Sequence, residues 1–161
     1  MEDYSLLIVR PEAVHLHEEI LTALEKRGYL ILFKKHIDDW AAVATELYHE
    51  MSLRHMEAFL DYYEKNQWGN VFIAMVVRHK EGNTLEQLKK DVGSEKEYQH
   101  QKEESLRGMF GLSSSFNLSV EHLTFVYNGF HCPTTEKELQ ESLMTLGIHS
   151  TQFSSNPATK N

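Results

Sequence analysis

Four short apolar runs, interleaved with stretches whose apolar residues recur at helical spacing, predict an α+β chain built on a single antiparallel sheet. The segments follow the order β-α-β-α-α-β-α-β-α, which is that of two split β-α-β halves. No internal repeat and no Pro- or Gly-rich linker divides them. The expected architecture is therefore ferredoxin-like: a four-stranded antiparallel sheet with helices packed on one face.

Each element has a local reason. Residues 5–10 form a short apolar run, read as a buried strand, and Pro11 suits the first turn of a helix, where a missing N–H costs nothing. Leu16, Ile20, Ala23 and Leu24 hold helical spacing up to Gly28, which is placed as a C-terminal cap. Residues 29–33 make a second strand. Two helices follow, over 39–50 and 52–66; Ser52 is the N-cap of the second, whose Leu53, Met56, Leu60 and Tyr63 share a face. Residues 71–77 are the strongest strand, apolar enough throughout to be central. A helix over 83–91 ends before Gly93. Residues 94–106 and 112–119 are polar and read as solvated loops. Residues 122–130 form the fourth strand. Thr135 and Glu138 have capping-box spacing, opening a helix that turns Leu139, Leu143 and Leu146 inward and stops at Gly147. The domain is expected to span residues 1–148, with 149–161 as a flexible tail.

Composition narrows the class. At 161 residues and 41% hydrophobic content the chain is long enough for one domain with a real core, and disorder throughout is excluded. The single cysteine, Cys132, rules out an internal disulfide and fits a reducing compartment. Arg10 interrupts the N-terminal apolar run after Val9, too early for a secretory or membrane segment, so a cytoplasmic protein without membrane contact is expected. A net charge of −8 argues against nucleic acid as a partner. It leaves room for a phosphate-bearing small molecule wherever a few cations converge.

Two segments bear on chemistry. Ser5-Leu6-Leu7-Ile8-Val9 runs into Arg10-Pro11-Glu12-Ala13-Val14, and Asn128-Gly129-Phe130-His131 closes an apolar run ahead of an acidic helix start. Together they resemble the signature segments of the nucleoside diphosphate kinases, a strand leading to a Pro-containing helix start and an Asn-x-x-His, and the resemblance covers about residues 4–147. It implies that His131 accepts the γ-phosphate of a nucleoside triphosphate and passes it to a diphosphate, with Mg²⁺ as cofactor and a homo-oligomer as the assembled form. A histidine near its usual pKa is substantially neutral at pH 7 and therefore nucleophilic. Tyr48 and Arg54 reproduce the family's Tyr-x-x-x-x-x-Arg spacing, and Leu106-Arg107-Gly108 resembles its Ile-Arg-Gly segment. The resemblance makes Tyr48 a partner of the active histidine, Arg54 and Arg107 phosphate ligands, and Asn128 a ribose contact. Forked guanidinium donors suit phosphate oxygens. Met56 stands where the family has a base-stacking aromatic residue, with Leu60 beyond it and Phe125 opposite, so two expectations stand side by side: a thioether and a phenyl ring that sandwich the base, or Met56 and Phe125 as plain core residues.

The departures matter equally. Arg10 replaces the family's lysine, and Lys89 replaces an arginine, each keeping charge but changing geometry. Glu95, beside Ser94, falls where a threonine binds phosphate. Pro133 replaces a serine two residues after the histidine. Ser142 replaces the glutamate that orients the imidazole, with Glu141 one place off. The segment from Arg107 to Asn128 is longer than is common. These changes keep a second expectation open: a nucleotide-binding pseudo-kinase with weak or no chemistry, acting as a sensor or assembly subunit. Other motifs are absent or misplaced. There is no phosphate-binding Gly-x-x-x-x-Gly-Lys-Ser/Thr loop, His15 and His17 diverge on a helix, and His131 and Cys132 point to opposite faces of an extended chain.

Overall fold

In the computed structural model, residues 3–121 and 123–153 are described. Strand β1 (Ser5–Val9) is wholly buried, and extended Arg10 leads to Pro11, the first residue of a 3₁₀ turn, Pro11–Leu16. That turn runs on into α1 (His17–Lys26), which closes at Gly28, whose N–H bonds to Glu25 O at 3.0 Å with φ at +92°. Strand β2 (Tyr29–Asp38), α2 (Trp40–Leu47), α3 (Leu53–Lys65), β3 (Val71–His79) and α4 (Thr84–Val92) follow. Next come two short helices, α5 (Tyr98–Gln101) and α6 (Leu106–Phe110), then β4 (Leu118–Val120), β5 (Leu123–Phe125), β6 (Phe130–His131) and α7 (Glu136–Leu146).

The main sheet has the order β2-β3-β1-β6 and every pair in it is antiparallel, as the ferredoxin-like reading requires. Helices do not keep to one face, however. Leu6 and Ile8 of β1 join a core with Trp40, Phe59, Tyr63, Tyr127 and Leu139, while Leu7 and Val9 join another with Ile20, Leu24, Leu88 and Leu106. Successive strand residues point to opposite faces, so the unbroken apolar runs of β1 and β3 mean burial on both sides.

The fourth strand is much shorter than the apolar run of 122–130. Only Phe130 and His131 pair with β1. Residues 123–125 belong instead to a separate hairpin, in which Leu118 faces Phe125 and Val120 faces Leu123 across a turn at Glu121; His122 lies outside the described residues. Apolar alternation marks a strand but not its partner, and the long 112–121 segment supplied a nearer one. Nor are residues 94–106 simply a solvated loop: Tyr98 and Leu106 are buried, and Ser105 Oγ caps α6 by accepting from Gly108 N–H at 2.9 Å. On α3 the buried stripe is Met56, Phe59 and Tyr63, while Leu53, next to the Ser52 cap, is 74% exposed. The C-terminal segment stays attached further than expected, because a 3₁₀ turn at Ser150–Gln152 places Phe153 in the core edge-on to Tyr4 at 4.8 Å. Residues 154–161, the rest of the expected tail, lie outside the described residues.

Candidate active site

Short as it is, β6 sets the position of His131. The register places His131 opposite Ile8 and Phe130 opposite Val9. Phe130 turns into the core shared with Val9, so His131 emerges on the other face, where Tyr48 meets its ring edge-on at 5.3 Å. There His131 lines a cleft of about 850 Å³ with Arg10, Tyr48, Glu95, Arg107 and Asn128. Its pKa is lowered to about 4, first by burial and then by the charges of Arg10 and Arg107, against which Glu138 acts. The imidazole is thus neutral at pH 7. Among the described residues no hydrogen bond reaches either ring nitrogen, while burial raises the pKa of the Tyr48 phenol and keeps it protonated.

The two arginines of the cleft are already engaged within the chain. Arg10 Nε approaches Tyr63 Oη at 3.0 Å and Glu12 Oε2 at 3.1 Å; its terminal nitrogens donate to Val126 O at 3.2 Å and Asn128 Oδ1 at 3.4 Å. Its guanidinium carbon lies 5.3 Å from the Phe59 ring centre and 6.0 Å from those of Trp40 and Tyr127. Arg107 donates to Gly93 O at 2.7 Å and Phe130 O at 3.1 Å, and its buried Nε has no partner among the described residues. Asn128 donates from Nδ2 to Glu95 O at 3.0 Å and accepts at Oδ1 from Phe130 N–H at 3.3 Å.

The structure thus gathers Arg10, Tyr48, Arg107, Phe125, Asn128 and His131 around one cleft. Four other expected site residues do not line it. Arg54 is 71% exposed and pairs with Glu121 at the hairpin turn. Lys89 pairs with Glu86 at 3.3 Å and donates to Thr134 O at 3.4 Å. Leu60 borders a separate groove with Trp40, Glu57 and Asp61. Met56 is core, and Phe125, at the cleft's edge, is itself mostly buried against Phe59 at 5.6 Å.

Some residues of the site carried no separate signal in the sequence. Glu12 and Tyr63 belong to a buried cluster assembled from distant elements. Glu138 was legible only as a capping residue: Thr135 Oγ1 accepts from its N–H at 3.1 Å, but its carboxylate reaches Thr134, accepting from N–H at 2.7 Å and from Oγ1 at 2.8 Å. Those two bonds hold its pKa below the usual value. Ser142, also lining the cleft, is one helical turn further along α7. The lining is acidic as well as basic, with Glu46, Glu50, Glu95, Glu138 and Glu141 beside Arg10, Lys96 and Arg107.

A family model described as nucleoside diphosphate kinase matches residues 3–144. Among curated proteins none matches the chain by sequence. Among solved structures, the nucleoside diphosphate kinase of Aquifex aeolicus superposes with a TM-score of 0.68 at 16% identity, covering 94% of this chain and 98% of that one. That of Encephalitozoon cuniculi, in a cubic apo form, gives 0.67 at 17% identity, covering 92% and 91%. At these identities the likeness is one of fold.

Proposed function

Since the chain belongs to the nucleoside diphosphate kinase family, we propose that it moves the γ-phosphate of a nucleoside triphosphate to a nucleoside diphosphate through a phosphohistidine at His131. The observation that carries this reading is a His131 imidazole lining an 850 Å³ cleft with Arg10 and Arg107, with Tyr48 against its ring; burial, then the two arginine charges, keeps it neutral. In the first half-reaction an imidazole nitrogen bonds to the γ-phosphorus, the bond to the β–γ bridging oxygen breaks, and the diphosphate leaves. In the second, a terminal oxygen of the acceptor diphosphate takes the phosphoryl group, the P–N bond breaks and neutral imidazole returns.

Such a transfer depends chiefly on positioning and electrostatics. Arg107 places a buried cation in the cleft lining, bonded to the carbonyl of Phe130 next to His131, and Asn128 holds the Glu95 backbone at the cleft wall. No group of three or more carboxylate, imidazole or thiol side chains is placed to hold a metal by itself among the described residues. Mg²⁺ would therefore enter with a nucleotide, taking most of its ligands from phosphate and water, with the glutamates lining the cleft as the carboxylates near it. When bound, Mg²⁺ would offset phosphate charge beside these acidic residues.

One observation favours the second reading, a nucleotide-binding protein with weak chemistry. All three nitrogens of Arg10 and two of the three of Arg107 donate to protein acceptors, and five glutamates line the cleft. Incubation with ATP and Mg²⁺ followed by intact-mass and acid-labile phosphate measurement decides between them. One acid-labile phosphoryl group per chain, absent in His131→Asn, is expected. Nucleotide binding in a titration without that adduct would leave the second reading standing.

A further inference from the structure

A carboxylate buried beneath the cleft holds the turn that carries His131. Glu12 is 1% exposed, and both of its oxygens are occupied. Oε1 accepts from Tyr63 Oη–H at 2.6 Å; Oε2 accepts from Gly129 N–H at 3.0 Å and lies 3.1 Å from Arg10 Nε. The other side of Gly129 is fixed too, because its carbonyl accepts from Arg10 N–H at 2.8 Å. Gly129 has φ at +86°, and a Cβ there would come within 3.2 Å of Ala13 Cβ, so the turn is both left-handed and closely packed. Two residues later comes His131.

The same cluster reaches Asn128. Its Oδ1 accepts from Phe130 N–H and from Arg10, which ties both flanks of Gly129 to the start of the first helical turn. Tyr63 closes the set, accepting from Arg10 Nε while donating to Glu12. Arg10 is enclosed by the rings of Phe59, Trp40 and Tyr127. Burying a carboxylate is costly unless it is paired and hydrogen-bonded, and here every partner either belongs to the Asn128–Gly129 turn or braces it.

We infer that Glu12, braced by Tyr63 and Arg10, is the positioning residue for His131, acting through the backbone of Gly129 rather than through the imidazole. This rests on the proposed phosphohistidine reading. It accounts for a histidine whose ring receives no hydrogen bond from the described residues, in a chain with Ser142 and Pro133 in the places noted above. It also gives Arg10 a part different from that of a phosphate ligand: its charge balances Glu12, and its terminal nitrogens hold Asn128 and Val126.

The test compares Glu12→Gln and Tyr63→Phe with Asp91→Asn. Glutamine keeps the shape but sets an amide donor against either Gly129 N–H or Tyr63 Oη–H and removes the charge facing Arg10. Asp91 accepts from Tyr29 Oη–H at 2.5 Å and pairs with Arg27 at 3.2 Å, in a partly buried polar cluster outside the cleft. Single-turnover phosphorylation by ATP, ATP affinity, thermal stability and the imidazole cross-peak of His131 in ¹³C–¹H spectra are measured for each. In Glu12→Gln the rate should fall about 10- to 100-fold, as for a misplaced reacting group. Affinity should stay within twofold, and the His131 cross-peak should shift and broaden; Tyr63→Phe should do the same to a smaller extent. Asp91→Asn should lose stability alone. Rates that follow stability equally in all three variants, with the His131 cross-peak unmoved, would overturn the inference. If the native chain forms no phosphohistidine, the enzymatic reading fails, and the cross-peak then decides the positioning role by itself.

Discussion

His131 illustrates how one side chain's chemistry depends on its surroundings. An imidazole in water is half protonated near pH 6.5, whereas burial with Arg10 and Arg107 nearby lowers this one to about 4. A depressed folded pKa means that the unfolded chain binds more protons between these values. The stability contributed by His131 is therefore full above about pH 6.5 and is lost as pH falls toward about 4. The rate of phosphoenzyme formation should accordingly be level from about pH 5.5 to 8, where an unperturbed histidine would lose activity below about 6.5. Single-turnover rates at pH 5.5 and 7.5 that differ by tenfold would contradict this environment. Arg107 makes a second residue-scale case, because it ties Gly93 to Phe130 with two charge-assisted hydrogen bonds. Replacing it with methionine should cost about 1.5–3 kcal/mol of stability and lower triphosphate affinity, read by urea unfolding and calorimetric titration. Unchanged affinity would remove Arg107 from the binding surface.

The hairpin of β4 and β5 decides where Arg54 goes. Glu121, at its turn with φ of +44°, pairs with Arg54 and lies 3.8 Å from His55, so the hairpin is fastened to the N-terminal end of α3. Arg54 is solvent-exposed there, and an exposed pair contributes roughly 0–1 kcal/mol. If Arg54 turns toward nucleotide phosphates on binding, that contact must first be given up. Glu121→Gln should then raise triphosphate affinity by up to about fivefold, corresponding to about 1 kcal/mol, while Arg54→Ala lowers it. Equal affinity in both variants would mean that Arg54 belongs to the hairpin and not to the site. The hairpin itself was hard to read, since residues 112–119 look like a polar loop and 122–130 like one strand. Pairing between them depends on proximity, which periodicity along the chain does not encode.

At the scale of the whole molecule, the two-sided core extends to both ends of the described chain. Phe153 packs edge-on against Tyr4 beside β1, and Ile148 joins the same core. Phe153→Ala should therefore destabilise by about 3 kcal/mol, and a thermal melt unchanged by it would show that this contact is idle. Strand β2 is an edge of the sheet and exposes Leu30 at 56% and Ile31 at 37%, a feature that fits the expected homo-oligomer. Sedimentation of Leu30→Lys should show weakened self-association if this edge is used, and an unaltered profile would exclude it. Among the described residues no helix is long and apolar enough to cross a membrane. The elements around His131, though not the short β6 that carries it, could be read from the sequence: β1 before Pro11, α3 after its Ser52 cap, the continuous β3, and α7 between Thr135 and Gly147. Apolar period, caps and glycine stops are properties of neighbouring residues, so the chain states them directly. Which acceptors Arg10, Arg54 and Arg107 satisfy is a different kind of fact. Arg10 meets Tyr63 and Asn128, Arg54 meets Glu121, and Arg107 meets Phe130, across separations that no local pattern records. A long cation bonds to whichever acceptor the packed core brings within reach, and only the tertiary structure decides that.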